Sequence, residues 1–245
     1  MIQQEEKWLR EYAERSGADL ESLQKRRESG EPLQYILGEW EFYGYPFKVG
    51  KGVLIPRPET ELLVDFAKCR MQNAECRNSV ILDLCAGSGC VGIALAKEIG
   101  CRVIAIEKSP EAVKYLKKNV ELNQVGEQFM VLQKDIFGEM PGWTPFDCVL
   151  INPPYLSKTD MENLQTEVTH EPKTALYGGK DGLDFYRKFF NNWTRVLKQA
   201  TLFACEVGDG QASAVSEMMT AIGLAPQIQK DYAGIERVVY SIGEY

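Results

Sequence analysis

Val80-Ile81-Leu82-Asp83-Leu84-Cys85-Ala86-Gly87-Ser88-Gly89-Cys90-Val91-Gly92 is an apolar run that turns through glycines into the opening of a helix. A strand that ends this way lets backbone approach a ligand where side chains would clash, and Gly87 and Gly89 are the positions that allow it. About 20 residues beyond Gly87, the run Arg102–Glu107 ends on Glu107, whose carboxylate can accept hydrogen bonds from both hydroxyls of an adenosine ribose. Cradle and acid together point to an adenosine-containing cofactor.

Outward from this stretch the chain alternates. Strands are expected at Val80–Leu84, Arg102–Glu107, Phe129–Gln133, Phe146–Ile151 and Thr201–Val207, with helices from Cys90, from Ser109-Pro110 and over Leu183–Leu197. That is the βαβ rhythm of a doubly wound parallel sheet. Ser109 as N-cap, Pro110 in the first helical position, and Ala112, Leu116 and Val120 on one stripe define the second helix. Pro226–Tyr232 and Arg237–Ile242 are separated only by a short loop containing Gly234, too short for a parallel crossover, so an antiparallel hairpin closes a seven-stranded sheet.

The letters Gly87-Ser88-Gly89-Cys90-Val91-Gly92 also satisfy G-x-G-x-x-G, so a nicotinamide dinucleotide is a rival ligand. Two features favour S-adenosylmethionine. Asp83 stands inside the strand, where it can reach the amino-acid end of the cofactor directly or through water, whereas a dinucleotide fingerprint keeps that stretch apolar. The antiparallel ending is the second, since dinucleotide folds are more often all parallel.

Asn152-Pro153-Pro154-Tyr155 follows the fourth strand, at the edge where open α/β sheets bind ligands. Alone it would be an ordinary turn; behind the cradle it reads as an acceptor platform. Asn152 offers a side-chain carbonyl, Pro153 a backbone carbonyl, and neither proline has an N–H to compete. Two acceptors can grip one NH₂ group and hold a weakly nucleophilic amide or amine nitrogen in line with a methyl sulfonium, while Tyr155 supplies a ring to pack against. No strong general base is required, and the single histidine, His170, is read as structural or as part of a substrate loop.

Composition narrows the classes further. The chain has 245 residues, 44% of them hydrophobic, which suits one α/β domain with a small appendage and excludes a disordered chain. No run approaches the roughly 18 apolar residues of a membrane span, and the start lacks a secretory or organelle pattern, so the protein is expected in the cytosol. A net charge of −7 argues against a dominant phosphate-binding surface. The seven cysteines, Cys69, Cys76, Cys85, Cys90, Cys101, Cys148 and Cys205, form no C-x-x-C pair and are read as reduced, mostly buried residues, with no metal site.

Ahead of the sheet, Trp8, Leu9, Tyr12 and Ala13, then Leu20 and Leu23, recur at helical spacing around the Ser16-Gly17 break. A third short helix, Pro32 to Leu37, ends at Gly38, and Glu41 to Val49 reads as a hairpin. Ile55-Pro56-Arg57-Pro58-Glu59-Thr60-Glu61 is stiff and non-helical, with Thr60 placed to cap a helix through Leu62, Leu63 and Phe66.

These residues resemble the protein-(glutamine-N5) methyltransferases that modify peptide chain release factors, the HemK-like family. The resemblance runs from about Gly30 to Tyr245. It rests on Gly30 to Gly38, Leu54 to Glu61, Asp83 to Gly89, Asn152 to Tyr155, His170-Glu171-Pro172, and Gly178-Gly179-Lys180-Asp181-Gly182-Leu183. It implies a class I, Rossmann-like methyltransferase fold, with residues 1–38 a short helical substrate-docking segment, 39–58 a β-hairpin linker and 59–245 the catalytic domain. It further implies S-adenosylmethionine held by Cys85, Ala86, Gly87, Ser88, Gly89, Glu107, the Asp135-Ile136 turn and Asn152, with S-adenosylhomocysteine as product. Asn152, Pro153, Pro154 and Tyr155 would hold the glutamine of a Gly-Gly-Gln motif in class 1 release factors, and Ile55 to Glu61 would wall the site.

The sequence departs from the family pattern at Cys85, where glycine is usual, at Glu107, where aspartate is usual, and in a shorter amino-terminal helical region, which bears on docking more than on chemistry. The rival readings are an amino-methyltransferase acting on adenine in nucleic acid, which would grip a flipped base the same way, an NAD-dependent oxidoreductase, and a cofactor-binding module that docks to translation factors without catalysis. The acidic balance speaks against the first, and no nicotinamide half or proton-relay residue supports the second. The expectation is a monomeric glutamine methyltransferase with release factors as partners and no direct nucleic-acid contact.

Overall fold

A computed structural model of the chain describes residues 3–71, 79–138 and 146–243. Cys76 lies outside the described residues. The elements in chain order are α1 (Gln3–Ser16), α2 (Leu20–Glu28), α3 (Leu33–Leu37), β1 (Glu39–Phe42), β2 (Tyr45–Lys48), α4 (Glu61–Met71), β3 (Val80–Leu84), α5 (Cys90–Ile99), β4 (Arg102–Glu107), α6 (Pro110–Leu122) and β5 (Phe129–Gln133). They continue with β6 (Cys148–Ile151), α7 (Lys158–Glu162), α8 (Lys173–Leu176), α9 (Asp184–Leu197), β7 (Leu202–Glu206), α10 (Ala212–Ala221), β8 (Gln227–Lys230) and β9 (Glu236–Ile242).

The sheet is the expected one: seven strands in the order β5-β4-β3-β6-β7-β9-β8, parallel from β5 to β7, with β9 antiparallel to both β7 and β8. Each central strand is apolar on both faces, as a sheet covered on both sides requires. Ile81, Val103, Cys148 and Leu150 face a core shared with α4, α5 and α6, while Leu82, Leu84, Val149, Ile151 and Phe203 face one shared with α9 and α10. On α9, Tyr186, Phe189, Phe190, Trp193 and Leu197 form the apolar stripe that closes the second core.

Register positions the site. Leu84 pairs with Ile106 on one side and Ile151 on the other, and Ile151 pairs with Cys205. The next residues, Glu107, Cys85, Asn152 and Glu206, therefore stand in a row along the carboxyl edge of four adjacent strands.

The amino-terminal helices gather Leu9, Leu23, Leu33 and Ile36 into a small cluster of their own. Asp19 caps α2 by accepting from the Ser22 N–H at 2.9 Å, and Gly38 ends α3 in the left-handed region at φ 70°. β1 and β2 form the hairpin, turning through Tyr43 and Gly44, both at positive φ. Arg27 joins α2 to Glu5 at 2.8 Å and to Glu167, in the segment after β6, at 3.0 Å.

One local expectation changes. Thr60 closes a 3₁₀ turn, Pro58–Thr60, that runs directly into α4, and its hydroxyl accepts from Asn152 Nδ2. Its hydroxyl is buried and turned toward β6 and β7.

Candidate active site

The cradle loop holds three left-handed residues: Cys85 at φ 56°, Gly87 at φ 55° and Gly89 at φ 81°. Cys85 adopts a conformation that costs an L side chain about 1–2 kcal/mol, which is why glycine suits the position. Glu107 fixes the loop: Oε2 accepts the Gly87 N–H at 2.9 Å and Oε1 accepts the Ser109 N–H at 2.7 Å. Each oxygen keeps a further lone pair for a ribose hydroxyl.

Asp83 is 3% exposed and accepts the Gly92 N–H at the start of α5 at 3.0 Å. Burial is the main reason its carboxyl is pushed from 3.8 up to about 7; the Gly92 bond opposes this and the Glu107 charge adds to it. Gly92 is needed here, because a Cβ would lie 2.8 Å from the Asp83 carboxylate and from Val103. The third glycine of the motif thus serves helix-to-strand packing around a buried acid.

At the other end, Asp135 accepts from Lys108 at 2.8 Å and from the Phe137 N–H at 3.0 Å, and the lysine bond holds its carboxyl below the usual range. The Ile136 carbonyl accepts the Trp193 indole N–H at 3.0 Å. The turn after β5 is therefore held from both sides.

A cavity of about 1100 Å³ joins these groups. Of the residues singled out from sequence, Asp83, Cys85, Ala86, Gly87, Ser88, Glu107, Asp135, Ile136, Asn152 and Pro154 line it. Gly89, Pro153 and Tyr155 are not among its lining residues. His170 is exposed at the end of a 3₁₀ turn, Glu167–His170.

Asn152 donates from Nδ2 to Thr60 Oγ1 at 3.0 Å, which leaves Oδ1 as the end available to a substrate donor. Tyr155, outside the cavity lining, packs its partly buried ring against the core shared with α9 and α10. Its hydroxyl donates to Glu206 at 3.2 Å and its carbonyl accepts from Gln211 Nε2 at 2.9 Å. Behind it, Gly178 packs against the Pro154-Tyr155 backbone so closely that a Cβ would fall 2.6 Å from the Pro154 carbonyl oxygen.

The wall residues also acquire partners. Glu171 is 4% exposed; it accepts the Ile55 N–H at 3.0 Å and pairs with Arg57, tying the segment after β6 to the proline-rich loop. Thr60 falls in the expected wall Ile55 to Glu61, but its bond to Asn152 was not legible, and Glu206 and Gln211 were not legible as site residues, since each partner lies on another strand or loop. Cys90, Cys101, Cys148 and Cys205 are buried, and no cluster of metal-ligating side chains occurs among the described residues.

A doubly wound sheet with an antiparallel final strand, carrying a glycine-rich turn, Glu107 and Asn152-Pro153-Pro154-Tyr155 along its carboxyl edge, has the architecture of a class I methyltransferase. The hMettl16 catalytic domain, solved with the MAT2A 3'UTR hairpin 6, superposes with a TM-score of 0.70 at 15% identity, covering 89% of this chain and 84% of that one. Precorrin-6y C5,15-methyltransferase from Geobacter metallireducens superposes at 0.55 with 11% identity, over 81% of this chain and 94% of that one. The TRM5/TYW2 methyltransferase domain family matches residues 65–172. Release factor glutamine methyltransferases are far more similar in sequence. That of Thermodesulfovibrio yellowstonii is 42% identical over 223 residues, 90% of this chain and 79% of the relative. That of Aquifex aeolicus is 38% identical over 216 residues, 88% and 76% of the two chains. The chain belongs to the release factor glutamine methyltransferase family.

Proposed function

We propose that this protein transfers a methyl group from S-adenosylmethionine to the side-chain amide nitrogen of the glutamine in the Gly-Gly-Gln motif of class 1 peptide chain release factors. The observation that carries the reading is the Asn152 amide, held by Thr60 so that its carbonyl end is left for an NH₂ donor beside the cradle. When bound, the cofactor supplies an electrophilic methyl on a sulfonium.

The residues present fit that group. The Cys85–Gly89 loop offers backbone at close approach, Glu107 keeps acceptor capacity for two hydroxyls, and Asp83 presents a buried carboxyl. Asn152 Oδ1 and the Pro153 carbonyl take one amide hydrogen each, which fixes the nitrogen and draws its lone pair out of conjugation. Pro154 lines the cavity beside Asn152, Tyr155 is anchored outside the lining on Glu206 and Gln211, and the proton leaves after transfer, without a strong base in the site. An exocyclic base amine presents the same NH₂, but the net charge of −7 opposes a phosphate-rich substrate.

Residues 1–38 are the docking segment for the release factor, residues 39–58 the hairpin linker, and 59–245 the catalytic domain. The protein works as a monomer in the cytosol, where translation is terminated; among the described residues no helix is long and apolar enough to cross a membrane. The test is incubation with S-adenosylmethionine and an unmodified class 1 release factor, followed by mass spectrometry of the Gly-Gly-Gln peptide. One methyl on the glutamine is expected. An unmodified glutamine, with cofactor bound in a parallel calorimetric titration, would reject the substrate while keeping the cofactor.

A further inference from the structure

Glu206 ends β7 beside the acceptor platform and is 1% exposed. The Tyr155 hydroxyl donates to its Oε1 at 3.2 Å, while Oε2 is buried with no hydrogen-bond partner among the described residues. A buried carboxylate oxygen left this way carries a desolvation cost that a stability role alone does not explain. Thr60, 2% exposed, accepts the Asn152 Nδ2–H at 3.0 Å, and its side chain acts on Glu206 in favour of the charged form.

We propose that Glu206 is a positioning residue, which sets the polarity of a Glu206–Thr60–Asn152 chain so that Asn152 presents its carbonyl, not its NH₂, to the substrate. A hydroxyl donates one hydrogen and can rotate it, so Thr60 by itself can hold either end of an asparagine amide. An ionised carboxylate only accepts. With Glu206 charged, its unpartnered Oε2 draws the Thr60 hydrogen, Thr60 Oγ1 is left as an acceptor, and only the Asn152 NH₂ end fits against it. Oδ1 then faces the cavity. The Tyr155 hydroxyl, bound to the same carboxylate, joins the far end of the platform to the same charge.

The state of the carboxyl is sensitive to its surroundings. Burial pushes it from 4.5 up to about 7, with Thr60 and Tyr155 opposing that rise, the charge of Glu59 adding to it and Arg237 reducing it. A proton on Glu206 gives it a donor of its own and releases Thr60 to turn its hydrogen toward Asn152.

The inference rests on the glutamine methyltransferase reading, and two kinds of measurement separate its failure from failure of that reading. In the first, kcat and KM for release factor methylation and the cofactor Kd are compared for wild type, Glu206→Gln, Thr60→Val, Thr60→Ser and the Glu206→Gln/Thr60→Val double variant. Glu206→Gln is expected to lower kcat about 10- to 100-fold with cofactor Kd changed less than about threefold. Thr60→Val should do the same, Thr60→Ser should restore most of the turnover lost, and the double variant should be no slower than Thr60→Val. Additive losses, or unchanged kcat in Glu206→Gln, would overturn the proposal.

The second measurement needs no substrate and so holds even if the glutamine is not methylated. The side-chain amide signals of Asn152 are followed by ¹⁵N NMR against pH. They should titrate near pH 7 in wild type and in Asp83→Asn, and lose that titration in Glu206→Gln. Signals that ignore pH in wild type, or that still titrate in Glu206→Gln, would contradict the chain.

Discussion

In the proposed mechanism Asn152 carries the reacting end of the site, and its replacement separates binding from chemistry. Asn152→Ala removes one of two acceptors that act on the nitrogen in the transition state, so turnover should fall by about two orders of magnitude or more while cofactor affinity changes little. Calorimetry beside single-turnover methylation reads both. Asp83 makes a different kind of prediction. Its carboxyl sits at about 7 in the folded chain against an ordinary 3.8, so the folded state holds a proton that the unfolded state has released. The associated stability is fully present below about pH 4 and is lost as pH rises through about 7. Asp83→Asn should therefore be more stable than wild type at pH 8, with the gap narrowing toward pH 5; thermal melts at the two pH values check it. The same variant should weaken binding of a cationic cofactor end. A gap that widens toward acid would reverse the assignment.

Among elements, the strands and helices that carried local signals were readable. β3 and β4 are apolar runs ending on chemistry, and α6 begins with Ser109 accepting the Ala112 N–H and Pro110 in its first turn. Asn152, Glu107 and Asp83 could be named from sequence because each follows from its place on a strand. Thr60 could not: a threonine before an apolar run looks like a cap, and its actual partner is 92 residues away. Glu206 is hidden for the same reason, since nothing near it in sequence says that a tyrosine from the loop after β6 ends on it. The short helices α7 and α8 have too few residues for a periodic pattern to show. Ser157 nevertheless closes a capping box with Asp160 that fixes where α7 starts. The packing of Gly178 yields the prediction at this scale. Gly178→Ala places a Cβ 2.6 Å from the Pro154 carbonyl oxygen and 2.7 Å from Tyr155 Cα, both backbone, so the platform must shift. The cost should be about 1–3 kcal/mol in stability, with turnover falling further than cofactor affinity. Unchanged turnover would mean that the backbone of the platform is not held by this contact.

For the molecule as a whole, the amino-terminal helices have their own small core and are tied to the segment after β6 by Arg27, which bridges Glu5 and Glu167 while only 16% of its side chain is exposed. If residues 1–38 dock the release factor, Arg27→Ala should raise KM for the intact release factor about fivefold, corresponding to about 1 kcal/mol, and leave kcat on a short Gly-Gly-Gln peptide unchanged. Equal effects on both substrates would move the role of Arg27 from docking to general stability. The fold class was legible at this scale because seven strand patterns and the short final loop leave few topologies. The ties between the helices and the catalytic domain were not, since surface charges pair across distances that sequence spacing does not encode.

The most direct test of the methyl-transfer site is a crystal structure of the protein with S-adenosylhomocysteine and a Gly-Gly-Gln peptide. It should show the glutamine amide donating one hydrogen to Asn152 Oδ1 and the other to the Pro153 carbonyl, with its nitrogen facing the cofactor sulfur. A glutamine bound elsewhere, or an Asn152 amide turned with Nδ2 toward the substrate, would contradict it.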